Sequence, residues 1–147
     1  KVKGVVPRYL LLMPNLIQNR TADTKVYDLK GRAKKPNHSN PRIIDDNTLP
    51  DPPSFAITKV GESQLLEDIE FLEKKGLLDY SLFVVEKDKK VESMHVIDFL
   101  TSYNWKKQAA HFFKQSVWDE QQLSTIPPNK YATRMRFFVM RCARYRP

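Results

Sequence analysis

The chain has 147 residues, room for one compact domain and little more. Lys and Arg number 25 against 17 Asp and Glu, so the formal charge is +8 and an anionic partner is expected, though the excess does not say which one. With 41% hydrophobic residues the chain is not wholly disordered, no apolar run nears the ~18–20 residues that span a bilayer, and the single Cys142 excludes an internal disulfide framework or a Cys-based zinc site. The opening Lys1-Val2-Lys3-Gly4 has neither an initiator Met nor an apolar signal stretch, and reads as the start of an internal fragment.

Arg8–Met13 (RYLLLM) is a short apolar run with Pro14 behind it, the pattern of a buried strand ending in a turn or hinge. Lys25–Leu29 alternates and carries Val and Tyr, a second strand closed by Gly31. From Lys34 to Pro53, Pro36, Pro41, Pro50, Pro52 and Pro53 among Asn and Asp are loop chemistry. Glu62–Lys75 predicts a helix, with Leu65, Leu66, Ile69 and Leu72 on its inner face, acids outward and Gly76 as its stop. Tyr80–Val85 and Met94–Leu100 predict two strands of a hairpin, joined by the charged turn Glu86–Lys90. Asn104–Gln115 fits a helix or an ordered loop. After Pro127-Pro128 an amphipathic helix with a basic rim runs to about Arg144. Strands and helices without regular alternation make the fold class α+β, with antiparallel strands and flanking helices expected.

Two carboxylates break apolar settings. Asp79 lies between Gly76-Leu77-Leu78 and Tyr80-Ser81-Leu82-Phe83, and Asp98 sits inside Val96-Ile97-Asp98-Phe99-Leu100. A carboxylate at the edge of a buried strand is costly unless a cation or donor meets it. Two of them on adjoining strands could hold a divalent metal and orient a hydroxyl, the division of labour that phosphoryl transfer needs. The plainer alternative is a turn Asp capping a backbone N–H and an edge Asp facing water. His38, His95 and His111 have no metal-ligand spacing, and the scattered Gly4, Gly31, Gly61 and Gly76 form no nucleotide loop. Nucleic-acid binding lacks an aromatic-interleaved sheet or recognition-helix signature and is not expected.

Tyr27-Asp28-Leu29-Lys30-Gly31 resembles the YDLKGS motif of the phosphatidylinositol phosphate kinases, Leu78–Leu82 (LDYSL) their MDYSLL segment, and Val96–Leu100 (VIDFL) their GIIDIL. Tyr103–Lys114 (YNWKKQAAHFFK) is similar to their activation loop, and Ser124–Arg134 to the stretch ending P-x-x-Y-x-x-R-F. The motifs come in family order from about Tyr9 onward. The resemblance implies the C-terminal lobe of a divergent protein-kinase-like lipid kinase, with residues 1–147 starting near the hinge and the N-terminal lobe absent. It implies ATP and Mg²⁺ as cofactors and a phosphatidylinositol monophosphate as substrate. Asp79 would orient the attacking inositol hydroxyl, Lys30 would contact phosphate, and Asp98 would hold the metal. Met13, Asn15 and Ile17 would lie near the nucleotide base. Lys106, Lys107 and Lys114, with Trp105 and Phe112, would face the inositol phosphate or an anionic membrane.

The loop wording Lys107–His111 is closest to the type II enzymes, which act on phosphatidylinositol 5-phosphate, whereas Trp105 is reminiscent of the larger class acting on phosphatidylinositol 3-phosphate. Arg32, Val96 and Val85 depart from the Ser, Gly and Gly of the motifs. The expected protein is a cytoplasmic, peripheral membrane lipid kinase, any homodimer forming through the missing lobe. The alternative is an inactive kinase-like module that binds anionic membranes or scaffolds active kinases. The 147-residue chain by itself is expected to show no turnover. Three basic stretches, Lys1–Lys35, Lys106–Lys114 and Lys130–Arg146, would dock on the membrane around an acidic helix facing away, each Lys or Arg contributing ~1 kcal/mol near an anionic leaflet.

Overall fold

The computed structural model describes residues 12–18, 20–32, 43–46, 53–104, 123 and 125–145. Four strands form the main sheet: β1 (Thr24–Leu29), β2 (Ile44–Asp45), β5 (Ser81–Lys87) and β6 (Lys90–Ile97), in the order β2-β1-β5-β6. Its centre is the apolar run of β5, whose Ser81 to Val85 are all buried, as a strand covered on both faces requires. The β5–β6 hairpin turns through Asp88 and Lys89, both at positive φ, the backbone that lets a two-residue loop follow the right-handed strand twist.

Helix α1 (Lys59–Lys74) starts at Thr58, whose Oγ1 accepts the Gly61 N–H at 3.1 Å and satisfies one of the orphan donors of the first turn. It stops where Gly76 takes φ +66°, with the Gly76 N–H donating to the Glu73 carbonyl at 2.9 Å. Leu65, Ile69 and Leu72 form its buried stripe. Helix α2 (Pro128–Cys142) begins with a proline, whose missing N–H is not needed in a first turn, and buries Tyr131, Ala132, Met135, Val139 and Cys142. These two faces meet the sheet in one core with Leu29, Phe55, Leu78, Tyr80 and Leu82. Full burial of each large apolar side chain contributes about 1.5–3 kcal/mol.

Two short pairings finish the architecture. β3 (Phe55–Ile57) lies parallel to β8 (Ala143–Tyr145), and β4 (Leu77–Leu78) antiparallel to β7 (Thr101–Ser102). The α+β class therefore holds among the described residues, but the strands are not all antiparallel, since β1–β2 and β3–β8 run parallel. Several boundaries differ from expectation: α1 starts at Lys59 and not Glu62, and the hairpin strands run on to Lys87 and from Lys90, leaving only Asp88-Lys89 as the turn. The tail helix ends at Cys142 because Ala143 turns extended to join β3. β6 ends at Ile97, so Asp98 is beyond the strand rather than within it. Of the expected first strand, residues 8–11 lie outside the described residues, while Leu12 and Met13 are exposed and unpaired in any sheet; Pro14 lacks the N–H a ladder needs. Among the described residues no helix is long and apolar enough to cross a membrane.

Candidate active site

The two suspect aspartates come together at a break between two ladders. β5 and β6 pair up to Ser81↔Ile97, and β4 and β7 resume at Leu78↔Thr101. Residues 79–80 on one side and 98–100 on the other are left out of the pairing, and both Asp79 (φ 65°) and Asp98 (φ 60°) turn left-handed there. Asp is among the few side chains that tolerate this backbone. The Gly76 carbonyl accepts the Tyr103 N–H at 3.0 Å and fastens the far side of the break.

A cavity of about 300 Å³ opens at this point, lined by Met13, Lys30, Asp79, Asp98, Phe99, Leu100 and Thr101. Lys30 reaches it from the turn after β1. Its Nζ donates to Asp79 Oδ1 at 2.7 Å and to the Asp79 carbonyl at 2.6 Å, and both side chains are mostly sheltered from solvent. A charge-assisted pair of this length fixes the carboxylate's orientation as well as balancing its charge. The Lys30 turn is itself bound by a buried carboxylate, Asp46. Beneath Asp79, the Tyr131 hydroxyl donates to the Tyr80 carbonyl, and the two rings meet edge to face with centroids 4.7 Å apart. Burial pushes both tyrosine pKa values up, so both remain neutral phenols.

Asp98 is exposed and has no hydrogen bond or ion pair among the described residues. Among those residues no cluster of three or more His, Cys, Asp or Glu is arranged to hold a metal. The donor set nonetheless fits Mg²⁺, a hard cation that takes one or two carboxylates and completes its octahedron with water and substrate phosphate oxygens.

The sequence-based site is thus gathered in part. Lys30, Asp79, Asp98 and Met13 line one cavity. Asn15 and Ile17 do not line it: Asn15 Oδ1 accepts the Ile17 N–H at 3.0 Å, and Ile17 packs against Val26, Phe83 and Val85. Trp105, Lys106, Lys107, Phe112 and Lys114 lie outside the described residues. Two bases of the tail turn inward instead of forming a docking rim. Arg134 Nη1 donates to the Leu123 carbonyl at 2.7 Å with its guanidinium 4.8 Å over the Tyr131 ring, and Arg136 pairs with Glu73 of α1. The acidic helix therefore faces α2 with one of its acids. Sequence reasoning missed Asp46, Phe99, Leu100 and Thr101 at this site; only the proximity of the last three to Asp98 could have signalled them.

The sequence model of the Phosphatidylinositol-4-phosphate 5-Kinase family matches residues 1–95 and 84–142. Among curated relatives, the chain is similar to 1-phosphatidylinositol-3-phosphate 5-kinase FAB1B of Arabidopsis thaliana, 30% identical over 143 residues, and to FAB1A of the same name and organism, 31% identical over 143. Each alignment covers 86% of this chain and 8% of the relative. Phosphatidylinositol 4-phosphate 5-kinase 10 of the same plant is 31% identical over 88 residues, 55% of this chain and 21% of the relative. The chain thus spans a small part of the relatives it matches. The likeness of Lys107–His111 to the type II loop finds no support in these names, and those residues lie outside the described ones.

Proposed function

This chain belongs to the phosphatidylinositol-4-phosphate 5-kinase family, and from that premise we propose that it carries the catalytic and metal-binding aspartates of a lipid kinase with a protein-kinase-like lobe. The reaction is in-line transfer of the γ-phosphoryl of ATP to a ring hydroxyl of a phosphatidylinositol monophosphate, giving a bisphosphate. The observation that carries the reading is the Lys30–Asp79 pair at 2.7 Å beside Asp98 on one cavity.

Asp79 accepts a hydrogen bond from the attacking hydroxyl, then its proton, as the new O–P bond forms and the bond to the ADP oxygen breaks. Lys30 holds the Asp79 carboxylate in one rotamer and keeps positive charge beside the incoming phosphates. Asp98, open to solvent, is the group to hold Mg²⁺. Mg²⁺ held there would supply positive charge to the nucleotide phosphates during transfer. Among substrates, phosphatidylinositol 3-phosphate ranks first, because the relatives aligned over 86% of the chain carry that activity in their names. The setting is a membrane surface reached from the cytoplasm.

The test is phosphate transfer from radiolabelled ATP by the natural-length protein to vesicles holding the 3-, 4- or 5-monophosphate. Bisphosphate should form on the 3-phosphate vesicles and vanish with Asp98→Asn while vesicle binding persists. Vesicle binding with no transfer to any of the three would mark a non-catalytic membrane module and sink the reading.

A further inference from the structure

Asp46 stands in a stretch whose composition says only loop, yet it is 7% exposed. The parallel register of β2 on β1, Asp28↔Asp45, brings it alongside the residues that follow β1. There its carboxylate meets donors from three consecutive residues. Oδ2 accepts the Lys30 N–H at 3.0 Å, Oδ1 accepts the Gly31 N–H at 3.1 Å, and Oδ2 takes the Arg32 Nε–H at 3.3 Å. Successive N–H groups converging on one anion form a backbone nest, and Gly31 at φ +63° supplies the left-handed residue such a nest uses. Helix α2 closes the other side: a Cβ at Gly31 would meet Phe138 Cβ at 2.9 Å. Arg32, which departs from the serine of the resembling motif, here serves the carboxylate.

We propose that Asp46 is a positioning residue for phosphoryl transfer, its carboxylate fixing the Lys30–Gly31 backbone so that the Lys30 ammonium is aimed at Asp79. The inference rests on the lipid kinase reading of the Lys30–Asp79 site. A turn needs no buried charge to keep its shape, and this one is held at a cost. Burial pushes the Asp46 pKa up, while the Lys30 N–H and the neighbouring Arg32 pull it back. What the charge adds is hydrogen bonds roughly twice as strong as neutral ones, and hence a tighter backbone under a long, rotatable side chain. In a reacting site a displacement of about 1 Å can cost about a hundredfold in rate.

The experiment compares wild type, Asp46→Asn and Lys30→Ala, singly and combined, in the natural-length protein. Turnover is measured on phosphatidylinositol 3-phosphate vesicles, and amide hydrogen exchange is followed across residues 24–32. Asp46→Asn keeps the shape and one acceptor, so it should fold; it should lower kcat about tenfold or more with KM for ATP nearly unchanged. Added to Lys30→Ala it should cost little further, since both act through one contact. The Lys30 and Gly31 amides should exchange faster while those of Val26 and Tyr27 do not change. An unchanged kcat, full additivity with Lys30→Ala, or unchanged exchange at Lys30 and Gly31 would each overturn the proposal. A wild type inactive on every monophosphate overturns the kinase reading instead, and hydrogen exchange alone then decides whether Asp46 holds the turn.

Discussion

Asp79 and Asp98 begin alike and end differently. Each follows a strand, each adopts left-handed φ, and each lines the same cavity. Asp79 is partly buried, its carboxylate and carbonyl both bound by Lys30, and the next residue, Tyr80, is wholly buried under the Tyr131 hydroxyl. Asp98 is exposed and followed by the outward-facing Phe99 and Leu100, 38% and 70% exposed. The same backbone thus holds one carboxylate that is locked in place and one that is open. A proton acceptor needs fixed geometry, whereas a metal ligand needs free lone pairs. The contrast in surroundings favours the proposed division of roles between them, which two aspartates in apolar runs of the sequence do not by themselves distinguish.

The largest effects should come from neutralising each carboxylate. Asp79→Asn should lower lipid phosphorylation about 10²–10⁴-fold, the usual range for losing a positioned acid or base. Asp98→Asn should cause a comparable loss of a different kind, because a titration with Mg²⁺ will need far more metal to recover activity. The Mg²⁺ dependence of Asp79→Asn should stay at the wild-type value. If both variants shift the metal dependence equally, the division between locked and open carboxylates fails.

A smaller effect separates the supports beneath them. Tyr131→Phe removes the donor to the Tyr80 carbonyl and leaves that group buried and unpaired, a cost of about 1–3 kcal/mol in urea unfolding. The loss should reach Asp79 and appear as reduced kcat with unchanged Mg²⁺ dependence. A Tyr131→Phe protein of wild-type stability would show that the Asp79 turn does not depend on this anchor.

Much of this frame was legible in the sequence because it is written in periodicity. The Leu65, Ile69 and Leu72 stripe, the apolar run of β5, and the Tyr131, Met135 and Val139 face each announce an element. Asp46 was not legible. Its meaning lies in contacts sixteen residues back along the chain, and a proline-rich composition carries no trace of them. The apolar residues on both sides of Asp98 suggest a strand through Val96–Leu100, but the pairing with β5 ends at Ser81↔Ile97, and Phe99 and Leu100 are exposed. The helical pattern puts Arg134 on a basic rim, since nothing in it says that a guanidinium will cover the Tyr131 ring and donate to the Leu123 carbonyl.

The smallest predicted effect is a difference in stability between the same substitution made at the two aspartates. Glycine takes left-handed φ about as readily as right-handed, so a Gly at either position relieves backbone strain, while its freer unfolded chain costs roughly 0.5–1 kcal/mol. At position 98 no other contact among the described residues is lost, so Asp98→Gly should leave unfolding stability near the wild-type value, the two contributions cancelling. At position 79 the same change also removes the Oδ1 partner of Lys30. Hydrogen bonds to charged groups contribute about 1.5–3 kcal/mol, and partial exposure of the pair lowers that, so Asp79→Gly should destabilise by about 1 kcal/mol. Chemical denaturation of the two variants side by side measures the difference directly. Equal stabilities would mean that the Lys30 pair contributes nothing to holding Asp79, and that the two aspartates differ in solvent exposure alone.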